Sequence, residues 1–207
     1  MGTKPAALLA AFILASAPLP ALSAEPPEHV PFSELSKEPV AGRFTESKTM
    51  PGAERALETE GSFMISSRTL CWKMEKPFVK AFEFSEDGAR EKATGGVVRV
   101  MEGSGPGRLI ADLLQGLASG GLEAVRNDFA LASAERTADG FAYELSPQSE
   151  MMKKALESVR LVTSGGRFLE FSVTDQGGGS TVMRFSGTES MTDEAFAAEF
   201  PRFCDVR

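Results

Sequence analysis

The sequence predicts an α+β domain in which antiparallel strands curve around a core and helices cover them. Three observations carry that reading. Short runs of alternating apolar and polar residues, punctuated by glycine, begin at Gly42. A leucine stripe with helical spacing interrupts them between residues 106 and 117. Alternation then resumes and continues almost to the end of the chain.

Residues 1–24 stand outside that domain. Lys4 gives a positive start, "AALLAAFILASA" gives about a dozen apolar residues, and "PLPALSAE" supplies small residues suited to cleavage. This reads as a secretory signal peptide cut after Ser23 or Ala24, so the mature protein is expected to be exported. The apolar run is shorter than the ~20 residues that a bilayer span requires. Residues 25–41, rich in proline and charge, read as a loosely ordered lead-in, and residues 42–207 as the domain proper.

Without the leader the chain carries 21 basic and 29 acidic residues, a net charge of about −8. An acidic chain with no basic run is a poor partner for nucleic acid or an anionic membrane. The only histidine, His29, falls in the lead-in. That excludes a Ser-His-Asp or Cys-His triad and argues against a histidine-bearing metal site, so neither metal nor cofactor is expected. The two cysteines, Cys71 and Cys204, either pair, closing a long loop, or stand as separate buried thiols.

The elements follow in order. "GRFTESK" (42–48) is a first strand that contains Phe44. "LETEGSFMISS" places Leu57, Phe63 and Ile65 on one parity, and "TLCWKMEKP" does the same for Leu70, Trp72 and Met74, with Cys71 on the opposite face and Pro77 as a stop. "FVKAFEF" sets Phe78, Phe82 and Phe84 on one side, Asp87-Gly88 reads as a turn, and "GGVVRVM" adds a strand. Pro106 then opens a helix in which Leu109, Ile110, Leu113, Leu114 and Leu117 form one apolar stripe. Leu122, Val125 and Phe129 mark a second short helix.

Strands resume with Phe141, Tyr143 and Leu145 in "GFAYELSP". A helical turn, "PQSEMMKKALES", precedes Val159 and Leu161. Glycine pairs bracket "RFLEFSVTD", with Leu169, Phe171 and Val173 on one face, and "STVMRFSG" follows. Thr192 caps a last helix that Pro201 ends. The count is four or five strands, a helical block, and three or four more strands. Trp72, Phe82, Phe84, Phe141, Tyr143 and Phe171 are the large side chains available for the inner side, and in an ordinary domain they would simply fill it.

The succession "GRFTESK", "GSF" and "LCWKMEKP", with proline five positions after Trp72, resembles the opening of the periplasmic LolA-like outer-membrane lipoprotein carriers. Glu46 stands where glutamine is more usual in them. The likeness continues through the leucine-rich helix, "YELSP" and "VMRFSGTES". It implies an incomplete antiparallel barrel under a helical lid, enclosing an apolar cavity for acyl chains, with no catalytic residues. By parity the cavity walls would be Phe44, Phe63 and Ile65, then Leu70, Trp72 and Met74, then Phe82 and Phe84, and beyond the helix Phe141, Tyr143, Leu169 and Phe171. Leu109, Ile110, Leu113, Leu114 and Leu117 would form the lid, and Arg68 stands where a lid-to-barrel tie is expected. "AREKATGG" (89–96) departs from the family, which is apolar and aromatic there.

The implied function is a monomeric periplasmic carrier of acylated lipoproteins or a related lipid, loaded by an inner-membrane export complex and unloaded at an outer-membrane acceptor. Such a carrier must return about 0.8 kcal/mol of burial per CH₂ and still release its cargo. Met64, Met74, Met101, Met151, Met152 and Met183 suit an adaptable lining. The alternatives are an RseB-like sensor domain, a dedicated glycolipid or polyene-lipid shuttle, and an envelope hydrolase. Ser104 in "EGSGPG" speaks against the hydrolase, because it has neither a histidine partner nor the G-x-S-x-G pattern.

Overall fold

A computed structural model describes residues 35–101, 106–120 and 125–205 of the chain. The leader, His29, Ser104 and Leu122 lie outside those residues. No helix among the described residues is long and apolar enough to cross a membrane.

Among the described residues eleven strands form one antiparallel sheet. They are β1 (Val40–Thr49), β2 (Leu57–Ile65), β3 (Thr69–Lys76), β4 (Lys80–Ser85), β5 (Gly88–Ala93) and β6 (Val97–Met101), followed after α1 (Pro106–Gly120) by β7 (Phe129–Arg136) and β8 (Gly140–Pro147). Helix α2 (Glu150–Ala155), strands β9 (Leu156–Ser164), β10 (Arg167–Asp175) and β11 (Ser180–Ser190), and helix α3 (Asp193–Phe203) complete the chain. The spatial order is β6-β5-β4-β3-β2-β1-β11-β10-β9-β8-β7, so the sheet is open and the first strand pairs with the last.

Register fixes which parity faces inward. Phe63, Trp72 and Phe82 stand opposite one another across β2, β3 and β4, and Ile65, Leu70 and Phe84 form the next row. Across the other half, Tyr143 faces Leu161, which faces Phe171, which faces Met183. These residues, together with Ala111, Leu113, Leu114 and Leu117 of α1, belong to one core cluster, with Phe82 packed against its edge. Helix α1 therefore lies against the inner face. Helix α3 covers the outer face at β3 and β4, where Cys71, Ala81 and Cys204 are buried against Phe200 and Phe203.

The two short motifs of β1 and β2 have a common physical cause. Gly42 pairs with Phe63, and Phe44 pairs with Gly61. A Cβ on Gly42 would sit 2.9 Å from the Phe63 ring, and one on Gly61 would come 2.9 Å from the Phe44 ring and collide with the Lys73 carbonyl. Each phenyl ring thus lies over the other strand's glycine, and two G-x-F strands interlock.

The structure differs from the sequence reading at six places. Strands number six before α1 and five after it, because β5 and β7 carry too little apolar alternation to announce themselves. β5 is the polar "GAREKA", held by ladders on both sides and by the ion pairs Lys80–Glu91 (2.7 Å) and Lys92–Glu83. Phe129 is buried at the start of β7 and is not part of a second helix. Phe78 is 66% exposed in the turn before β4, off the Phe82 and Phe84 face.

In β10 a register shift between Phe168 and Glu170 turns Leu169 outward, leaving it 45% exposed while Phe168 packs on the core. Pro201 does not end α3, which continues to Phe203, with the Cys204 N–H donating to the Phe200 carbonyl at 2.9 Å. Finally, the end of the lead-in is ordered. Leu35 is buried in the core, the Ser36 N–H donates to the Gly166 carbonyl, and β1 begins at Val40.

Two other expectations hold, the Thr192 cap and the end of β3 before Pro77, and the structure adds a Ser149 cap and decides between the two readings of the cysteines. Thr192 caps α3 by accepting from the Ala195 N–H, and Ser149 caps α2 by accepting from Met152. β3 ends at Lys76, where the bond to Pro77 is cis. Cys71 and Cys204 are disulfide-bonded, with Cα atoms 5.8 Å apart.

Candidate ligand cavity

Trp72 stands at the centre of an aromatic cluster on the inner face. Its ring centroid lies 3.9 Å from that of Phe44, 5.9 Å from Phe63 and 6.1 Å from Phe185, the last edge-on. The indole is only 8% exposed, and that remaining surface opens on a cavity. Strands β3 and β4 contribute Leu70, Trp72, Met74, Phe82 and Phe84, while Met101 closes it from β6 and Met183 from β11. Ile110, Ala111 and Leu114 of α1 form the remaining apolar wall of this half-open cavity, whose volume is about 260 Å³.

Space survives here because the opposed side chains are small or can rearrange. Ala89 of β5 stands opposite both Phe84 and Met101, and Ala111 offers only a methyl group from the helix. Three of the wall residues are methionines, whose unbranched thioethers fill or vacate irregular space at low cost.

One end of the cavity is polar. Glu46 and Lys48 share the inner face of β1, and Thr181 stands opposite Lys48 on β11. Glu46 is half-buried, flanked by Thr59 on β2 and Met183 on β11. Burial among these neighbours pushes its carboxyl above the ordinary carboxylate value, with Lys48 partly opposing the effect.

The residues expected to line a cavity divide into two groups. Leu70, Trp72, Met74, Phe82 and Phe84 touch it. Phe44, Phe63, Ile65, Tyr143 and Phe171 are buried in the packed core behind or beside it, and Phe141 is half-buried against that core. Leu169 faces outward. On α1, Ile110 and Leu114 line the cavity, Leu113 and Leu117 are core, and the Leu109 side chain lies outside the described residues. Arg68 is exposed in the turn between β2 and β3, in a polar groove shared with Arg108, Asp112 and Gln115 of α1. Its backbone N–H donates to Ser66 Oγ at 3.3 Å, and Arg108 pairs instead with Asp112 at 2.8 Å. Of the methionines, Met64 is buried on the outer face with Cys71 as its cross-strand partner, Met152 is core, and Met151 is exposed.

Glu46, Lys48, Thr181 and Ala111 were missed as wall residues. Extending the parity of Phe44 along β1 reaches Glu46 and Lys48, so that signal was present. Nothing in the sequence marks Thr181, which owes its place to the β1–β11 pairing.

No family model and no curated protein sequence matches the chain. Among solved structures it is similar to the LolA superfamily protein NE2245 from Nitrosomonas europaea, at 13% identity and a TM-score of 0.44, over 80% of this chain and 93% of that one. It is also similar to a DUF1329 family protein from Desulfovibrio piger, at 12% identity and a TM-score of 0.36, over 77% and 89% of the two chains. A third likeness is to the MucA/MucB complex of Pseudomonas aeruginosa, at 14% identity and a TM-score of 0.31, over 85% of this chain and 60% of that one.

Proposed function

We propose that the protein is an exported carrier of acyl chains, shielding those of a lipoprotein or a related lipid in transit from the inner to the outer membrane, with α1 as the movable lid. The observation that carries this reading is the apolar cavity of about 260 Å³ between α1 and the inner face, walled by Trp72, Phe82, Phe84 and three methionines. An apolar cavity of about 150 Å³ takes a benzene molecule, so this one takes roughly ten carbons of a single chain. At about 0.8 kcal/mol per CH₂ the gross gain is about 8 kcal/mol, which corresponds to about micromolar affinity before ordering costs. Affinity in that range suits a protein that must release its cargo. Longer chains require α1 to rise from Leu70 and Trp72. Binding and release make up the whole of this role, and the proposal assigns the cavity no bond-making chemistry.

The test is to purify the full chain from a periplasm, extract bound material and identify it by mass spectrometry, alongside titration with a fluorescent fatty-acyl probe. Acyl-bearing ligands and a blue-shifted probe that Ile110→Glu abolishes are the expected result. Finding no acyl ligand and no shielding of the probe from water would end the carrier reading. Ile110 is the informative position, because Leu113 is core and a charge there unfolds the domain.

A further inference from the structure

The polar end of the cavity bears on what kind of head group the bound chain carries. Glu46 and Lys48 lie two residues apart on one face of β1, roughly 7 Å along the strand. Among the described residues neither side chain makes a hydrogen bond or a close ion pair, and Lys48 acts on Glu46 only through its charge at a distance. The nearby inner-face charges Lys80 and Glu91 do pair with each other, at 2.7 Å. The Thr181 hydroxyl completes the mouth from β11. An acceptor, a donor and a hydroxyl thus stand around one opening of an otherwise apolar cavity, with space between them.

We propose that Glu46, Lys48 and Thr181 form a head-group subsite that selects a neutral single-chain amphiphile whose head both donates and accepts hydrogen bonds, over the free fatty acid of the same length. This rests on the acyl-carrier reading and adds the class of head group to it. A hydroxyl or amide N–H can donate to the half-buried Glu46 while the same head's oxygen accepts from Thr181 or from Lys48, which is otherwise exposed to solvent. A carboxylate head gains Lys48 but is repelled by Glu46, and it must be stripped of water next to Met74 and Met183. The neutral head avoids both costs.

The experiment is competition of the purified full chain's fluorescent acyl probe by monodecanoylglycerol and by decanoate at pH 7, ten-carbon chains matched to the cavity. The glycerol ester is expected to bind at least tenfold more tightly. Glu46→Gln should tighten decanoate binding and bring the ratio near one, whereas Lys48→Met, which removes the only attraction for a carboxylate, should widen it. Equal affinities in the wild type, or a ratio that neither substitution moves, overturn the subsite while the carrier reading stands. Displacement of the probe by neither ligand overturns both. Thermal melts of the two variants establish that the ratios are those of folded protein.

Discussion

The two halves of the sheet meet α1 differently. On the β8–β11 side the inner face is filled: Tyr143, Leu161 and Phe171 are almost wholly inaccessible, and Leu117 of α1 is buried in the same cluster. On the β3–β6 side Phe84 stands opposite Ala89, α1 contributes the small Ala111 beside Ile110 and Leu114, and a cavity remains. The same residue types stand on both sides. What differs is how closely the helix and the sheet meet, so an apolar wall becomes a core where side chains close up and a container where methyl groups such as those of Ala89 and Ala111 leave a gap.

Four measurements would break or sharpen that contrast. The open half has a covalent brace on its outer side, where Cys71 of β3 joins Cys204 across a sequence separation of 133. Removing it by Cys71→Ser with Cys204→Ser should cost about 5 kcal/mol on the chain-entropy model, read as a shift in urea midpoint. A loss under ~1 kcal/mol would mean that the open half needs no brace. Phe171→Ala, in the filled half, should cost about 3–5 kcal/mol because it opens a cavity where none exists. Phe82→Ala should cost about 1–2 kcal/mol, since one side of the ring already faces empty space, and it should lengthen the acyl chain accommodated. If the two phenylalanines prove equally costly, the halves are packed alike.

The smallest effect is that of Glu46→Gln. Burial raises the Glu46 carboxyl above its ordinary 4.5, so the folded protein is penalised for ionising it. That penalty is complete above the raised value and absent below the ordinary one. The variant should therefore melt slightly higher than wild type at pH 7, and the difference should vanish as the pH falls below about 4.5. A gain that persists in acid would assign the effect to packing.

Much of the fold was legible because alternation marks strands that are buried on one face. The parity of Leu70, Trp72 and Met74 against Cys71 came directly from it, as did the Leu stripe of α1. β5 and β7 were missed because a strand near an open edge is held mainly by its ladder, and a ladder leaves no trace in side-chain type. Leu169 was misplaced because one extra residue in β10 exchanges the two faces, and a bulge is a property of the pair rather than of either strand. The site was half legible for a related reason. Sequence shows which side chains are apolar, but whether Phe44 or Phe82 borders empty space depends on what stands opposite. Gly61 stands opposite Phe44, whose own ring fills the space that glycine leaves and packs against Trp72.

The pairing of β1 with β11 has a consequence in time. Every other strand pair joins neighbours in sequence, so β1 to β6 can zip up as the chain emerges, and β7 to β11 can follow. The β1–β11 seam waits for residues 180–190, and until they arrive β1 presents a bare edge along its whole length. Glu46 and Lys48 lie on one side of that seam, Thr181 and Met183 on the other. The cavity is therefore finished by the same event that covers the bare edge of β1. A head group held between Glu46 or Lys48 and Thr181 would bridge the seam, and a nascent molecule that had not closed would lack the Thr181 and Met183 part of the site.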